Sequence, residues 1–254
     1  MSITQLFRND EFFITVDPKE FRPGQICRVP VPIPDSIPRI LDAERNTPED
    51  HEKISFEIRA ADKRDDFKKR DRSLPVKYLN LRSNEELLVQ RCKKRPAIIL
   101  GNSVDCYPFI TKILKNTTKM HQQKDCLFVI PCYRTMEKTY GSGIIQPIVE
   151  YTKCMMYRQF FYIPPIKDFK ETIARFDKIQ IVIGRSPASI EPSDVCLSEE
   201  IFNLFISMFI FCISGRTDPM FDDIRGVLAL NSHNLTHLTQ PILHVRKAAG
   251  AIFF

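Results

Sequence analysis

Glycine is scarce in this chain and tryptophan is absent: its 254 residues include 8 Gly and no Trp, against 18 Pro. Phosphate cradles of the P-loop and dinucleotide types need closely spaced glycines so that backbone N–H groups can approach the phosphates, and neither GxGxxG nor GxxxxGK[ST] occurs. The eight cysteines, at 27, 92, 106, 126, 132, 154, 196 and 212, include no CxxC pair, which argues against a zinc ribbon. The opening MSITQLFRNDEFF contains no apolar signal-peptide core. The expectation is therefore a cytoplasmic location with reduced thiols. The membrane-like run IFNLFISMFIFCI spans only Ile201–Ile213. A bilayer crossing needs roughly 18–20 apolar residues, so the run reads as a core helix and no membrane is expected.

The composition present is that of an ordinary globular protein, with 43% hydrophobic and 27% charged residues. Nineteen Phe promise a phenylalanine-rich core, and a net charge of +6 favours an anionic partner such as a nucleic acid.

Residues 1–20 read as peripheral. Phe21-Arg22-Pro23-Gly24 reads as a turn into a strand over 25–29. Prolines 30, 32, 34 and 38 then argue against a central strand and for extended surface chain. From Glu57 to Arg72, twelve of sixteen residues are charged with interleaved signs, a pattern of a solvated helix or loop, or of a lid whose basic end touches a polyanion. Two β-rich segments follow, Arg95-Pro96-Ala97-Ile98-Ile99-Leu100 and Cys126-Leu127-Phe128-Val129-Ile130-Pro131, each ended by Gly, Asn or Pro. Arg95 precedes proline and is steered out of the helical region. Residues 103–125 fit a short basic helix or a loop. Further strands are expected over 144–151, 158–163 and, as a pair, 173–183. Ser198 is a natural N-cap with Glu199 and Glu200 in the first turn, and Gly215 is placed to terminate the helix. Asp222–Leu230 has a helical pattern. Strands followed by a packed helix give an α+β class.

The pieces, taken in order, resemble the MazF/PemK family of toxin endoribonucleases. Pro23, Gly24, Ile26 and Val29 resemble the family's opening strand. Lys94-Arg95-Pro96-Ala97-Ile98-Ile99-Leu100-Gly101-Asn102 resembles its Arg-Pro strand, and Val129-Ile130-Pro131 resembles the next strand, which leads to a Thr-bearing loop. Residues 173–213 resemble the closing Arg-bearing strand, Gly turn and helix. The resemblance implies a small SH3-like twisted β-barrel with a buried C-terminal helix, over residues 20–215. Within it lies a charged insertion at about 42–75, and 216–254 is an extension without counterpart. It further implies a homodimer that cuts single-stranded RNA without metal or cofactor and is covered by an antitoxin.

Such cleavage needs a group to take the proton of the attacking 2′-hydroxyl, another to protonate the leaving oxygen, and donors for the phosphorane. Arg95 matches the family's catalytic arginine, and its planar fork suits a phosphate. Direct spacing after Val-x-Pro puts Tyr133 where the family has threonine, while Thr135 lies two residues on; the second catalytic group is one of these. Tyr133 also suits stacking on a base. Lys93, Lys94 and Arg134 are candidate RNA contacts. His233 and His237 have a zinc-compatible spacing without HExxH, and His121 is a candidate acid or base. The displaced threonine leaves a second reading, a catalytically silent barrel that binds nucleic acid or a protein.

Overall fold

The computed structural model describes residues 1–45, 54–62, 66–68, 79, 81–102, 112–113, 126–136 and 143–230. Short helices α1 (Ile3–Leu6) and α2 (Asn9–Phe12) lead into β1 (Phe13–Thr15), β2 (Gln25–Ile33), β3 (Arg39–Arg45), β4 (Ile54–Ala60), β5 (Leu88–Val89), β6 (Arg91–Asn102) and β7 (Cys126–Arg134). Then come α3 (Gln146–Lys153), β8 (Phe160–Ile163), β9 (Thr172–Arg175), β10 (Gln180–Ile183), β11 (Glu191–Leu197), α4 (Glu199–Ser214) and α5 (Pro219–Leu230). The class is α+β with mostly antiparallel sheets. The chain divides into two units, Met1–Val29 with the chain from Lys94 onward, and Pro30–Lys93.

The first unit is built on a sheet of order β1-β11-β2-β6-β7-β9-β8, with β10 also paired to β7. The sheet is open: among the described residues no pairing joins β1 to β8, so the closed barrel expected from the resemblance is not seen. Strand β7 organises it. One edge pairs with β6, and the other takes β10 along its first half and β9 along its second. The chain from Thr172 to Ile183 thus follows β7 with a single jog, a 3-10 turn at Phe176–Lys178 whose Phe176 side chain is buried. Helix α4 begins as expected: the Ser198 hydroxyl accepts from the Ile201 N–H, and Gly215 closes the far end at φ 74°. Its Ile201, Leu204, Phe205 and Met208 are buried. Phe205 meets Phe161 and Phe176 edge-on at 5.2 and 5.1 Å, which makes phenylalanine the main cement between helix and strands. The glycine of the Pro23-Gly24 turn is needed for φ of +84°, and a Cβ there would press within 3.2 Å of the Phe202 ring.

The second unit contains a three-stranded sheet of order β4-β3-β5. Arg59 crosses from β4 to Asp42 on β3 and to Asp66 in the following turn, at 2.5 Å from the latter.

Four expectations are corrected. Residues 144–151 form not a strand but most of α3, because Pro147 sits in the first turn, where its missing N–H costs nothing, and Val149 and Thr152 bury one helical face. The charged stretch is neither helix nor loop over 54–60: the charge count concealed a period-two pattern, and β3 and β4 pair over seven residues each. Strand β2 runs on through Pro30 and Pro32; β11 pairs with β2 only as far as Arg28, so the prolines fall beyond the end of that ladder. The N-terminal residues are not peripheral, since Ile3 and Phe12 are buried and β1 pairs with β11. Among the described residues, no single helix is long and apolar enough to cross a membrane.

Candidate functional site

The geometry of the site follows from strand register. Ala97 of β6 pairs with Pro131 of β7, and two residues further along both strands stand Arg95 and Tyr133. On the other edge of β7, Tyr133 pairs with Ile173 of β9, and Phe161 pairs with Ala174, Phe160 with Arg175. The period-two alternation of strands therefore puts Arg95, Tyr133 and Arg175 on one face of the sheet. The side chains converge: the Arg95 guanidinium lies 4.4 Å from the centre of the Tyr133 ring, and the Arg175 guanidinium lies 5.1 Å from the same centre and 5.5 Å from that of Phe160. Both distances to Tyr133 are within the reach of cation–π attraction.

The two arginines differ in what holds them. Arg175 makes two bonds to the Asp177 carboxylate, at 3.0 Å from Nε and 2.5 Å from Nη2, and that pairing raises its already high pKa against the effect of burial. Arg95 has its Nε buried without a hydrogen-bond partner. A buried donor without a partner costs about 1–3 kcal/mol, so this atom gains from any acceptor that reaches it. Two guanidinium groups on one aromatic ring, with a single carboxylate paired to one of them, form a positively charged nook suited to a phosphodiester oxygen.

Thr135 belongs to a different constellation. Its hydroxyl donates to Glu171 at 2.8 Å, Tyr162 donates to the other oxygen of the same carboxylate at 2.6 Å, and Lys153 of α3 approaches it at 3.3 Å. Thr135 is buried, and its backbone is clasped by the neighbouring chain: Met136 N–H donates to Ile144 and Ile144 N–H to Arg134. Burial pushes the Glu171 carboxyl up, but the hydrogen bonds from Tyr162 and Thr135 and the charge of Lys153 outweigh it and hold the group below the usual carboxylate range. Burial and the bond to Glu171 push the Tyr162 phenol up. Every group in this cluster has a partner, which is the condition of a stabilising network.

Of the residues singled out in the sequence, Arg95 and Tyr133 come together and Thr135 is drawn into the Glu171 network. Arg134 is exposed beside them. Lys94 is ion-paired with Glu191, which holds that carboxyl below its usual range, and Lys93 is an exposed residue at the end of the second unit. His121, His233 and His237 lie outside the described residues. The seven described cysteines form no disulfide. Burial pushes the Cys132 thiol up to about 12 and Cys196 up to about 11, which removes both as thiolate nucleophiles near neutrality.

Sequence reading missed Arg175, Asp177 and Glu171. Two strands over 173–183 were legible, though they pair with β7 and β8 and no β9–β10 pairing is seen among the described residues, and Arg175 becomes a neighbour of Tyr133 only through the β7–β9 register. Asp177 turns toward it only because the chain jogs at Phe176–Lys178. No protein-family model, no curated protein and no solved structure matches the chain.

Proposed function

We propose that the chain is a MazF/PemK-like endoribonuclease that grips single-stranded RNA at the Arg95–Tyr133–Arg175 nook and cleaves it by attack of a 2′-hydroxyl on the adjacent phosphate. The observation that carries the reading is the pair of guanidinium groups on Tyr133, one of them with a buried, partnerless Nε. In this reading Arg95 and Arg175 stabilise the charge that builds on the phosphorane, where a planar fork acts on two oxygens at once. Tyr133 stands at the family's threonine position; its hydroxyl exchanges a proton with the reacting oxygens, and its ring holds the arginines. Asp177 orients Arg175. The eight-stranded sheet then corresponds to the family's SH3-like barrel. A homodimeric, cytoplasmic toxin with an antitoxin partner, acting without a metal, belongs to the same proposal.

The test is incubation of the purified chain with a mixed set of single-stranded RNAs in EDTA. Cleavage that leaves 2′,3′-cyclic phosphate ends, and falls about 10²–10³-fold in Arg95→Ala, is the expected outcome, as for removal of one donor to a developing oxyanion. Intact RNA with both proteins overturns the enzyme reading.

One observation favours a second reading. Thr135, the residue type the family uses, is committed to Glu171 and buried. A site that has lost that group but kept its arginines would bind RNA without cutting it. Salt-sensitive retention of RNA on a filter, weakened by Arg95→Ala and with no cleavage, is the result that would establish this alternative.

A further inference from the structure

The second unit, considered by itself, carries an interaction surface unrelated to the arginine nook. The register Leu41↔Ile58, Ala43↔Phe56 and Arg39↔Ala60, with Arg39↔Val89, assigns these residues to one face of its three-stranded sheet. Asp42↔Glu57 and Ile40↔Arg59 fall on the other. The two faces are treated differently. On the second, Ile40 is fully buried, Asp66 is buried, and Arg59 is bound to both Asp42 and Asp66. On the first, Phe56 and Ile58 are 59% and 56% exposed, and Ile37 nearby is 56% exposed. Large apolar side chains side by side on an open strand are an uncommon expense for a small sheet, and contiguous exposed apolar surface of this kind marks a binding site.

Between the Asp35–Ile37 turn and the Ile58–Ala60 end of β4 lies a cleft of about 420 Å³. Ile37, Ile58 and Ala60 line it together with the polar Asp35, Ser36, Arg39 and Arg59. Among the described residues the charge at this mouth is positive. Asp35 is shared by Arg39 and Arg91, at 3.2 Å from each, so the three groups sum to one positive charge, while the carboxylates Asp42 and Glu57 are on the opposite face.

We infer that this face docks a protein segment that alternates apolar and acidic residues, with its apolar side chains on Phe56, Ile58 and Ile37 and a carboxylate on Arg39. Charge complementarity selects the acidic class, and the aliphatic side chains of Ile37 and Ile58 select protein over nucleic acid: bases stack on aromatic rings, and among the described residues of these three strands Phe56 is the one aromatic ring. Acidic side chains are repelled by the Asp42–Glu57 face and drawn to the Arg39 side.

The probe is a fluorescein-labelled synthetic peptide of alternating leucine and glutamate, titrated by anisotropy against the full chain, beside a leucine–lysine peptide of the same length and a 20-nucleotide RNA. Saturable binding of the glutamate peptide, at least tenfold tighter than the lysine peptide, is expected. Phe56→Ser should weaken it at least tenfold. Arg39→Glu should do the same and reverse the preference toward the lysine peptide, and it serves as the independent variant if Phe56→Ser does not fold. Equal affinity for the two peptides, no binding of either, or binding of the glutamate peptide that neither substitution changes overturns the inference. So does RNA that competes with the peptide and loses affinity in the same two variants, since that assigns the face to nucleic acid.

Discussion

Tyr133 and Thr135 stand two residues apart at the end of the same segment, and their surroundings are opposite in kind. Around Tyr133 the polar groups outnumber their partners: two guanidinium groups lie on one ring, one of them bound by Asp177 and the other with a buried donor left over. Around Thr135 the account closes, because Glu171 receives Thr135, Tyr162 and Lys153, and Lys153 is shared with Glu150 at 3.1 Å. A threonine is the more familiar proton-handling residue in the family the sequence resembles, yet here Thr135 has its bonds met and the unmet bonding capacity lies beside Tyr133, at the Arg95 Nε. Residue type therefore ranks below hydrogen-bond satisfaction as a guide to a site: a group whose bonds are complete holds the fold, and a group with bonds left over can hold a ligand.

The contrast can be broken experimentally at either end. The largest effect is expected at the arginine. Arg95→Lys keeps the charge but loses the planar fork, and RNA cleavage in EDTA should fall by about 10²-fold with little change in thermal midpoint. Retained activity would mean that charge alone suffices and that the stacked geometry on Tyr133 is incidental. Next is the carboxylate at the centre of the closed network. Glu171→Ala strands the Tyr162 and Thr135 hydroxyls together while Lys153 keeps Glu150, and urea unfolding should show a loss of about 2 kcal/mol, with the RNA affinity of the Arg95 nook kept. A smaller effect is expected from Thr135→Val, which removes one of three donors to Glu171: about 1 kcal/mol of stability and less than a twofold change in cleavage. A large loss of cleavage with unchanged stability in that variant would return Thr135 to the chemistry and invert the comparison.

The pH dependence sharpens the same distinction. The folded-state pKa of Glu171 lies below its unfolded value, so the unfolded state binds more protons as the solution is acidified. Its contribution to stability is fully present above the unfolded carboxylate pKa and is lost as pH falls through the folded one. Tyr162 has the opposite sign, since its folded pKa is raised. Its contribution is present below the ordinary tyrosine pKa and declines as pH rises past it. Urea midpoints measured from neutral to acid pH should therefore fall less steeply in Glu171→Gln than in the parent. Equal slopes would show that other carboxylates carry the acid sensitivity.

Much of the fold could be read locally. Helix α4 was legible from Ser198 to Gly215 because capping, first-turn carboxylates and a terminating glycine all act within one helical turn of the residues that supply them. The strands β6 and β7 were legible from β-branched runs closed by Gly, Asn or Pro. Two local readings failed where local signals compete. Pro147 reads equally as a strand breaker and as a first-turn helix residue, and the interleaved charges of β3 and β4 conform to a solvated helix until their period of two is counted across paired strands. Arg95 and Tyr133 were both picked out through the family resemblance, but their meeting was not, since a register shift of one residue would turn them to opposite faces.

The sequence by itself determined the span of helix α4, the strand runs of β6 and β7, which glycine must turn at Pro23-Gly24, and that Arg95, standing before a proline, would be extended. These follow from backbone sterics and from hydrogen bonds made over a few residues. Only the tertiary structure decided that Arg175 joins Arg95 on Tyr133 and that Thr135 belongs to Glu171, thirty-six residues away. Those outcomes depend on which strand lies beside β7 and in what register. That choice is settled by the burial of side chains such as Phe176 and Phe205 across the whole core, and no window of local sequence contains it.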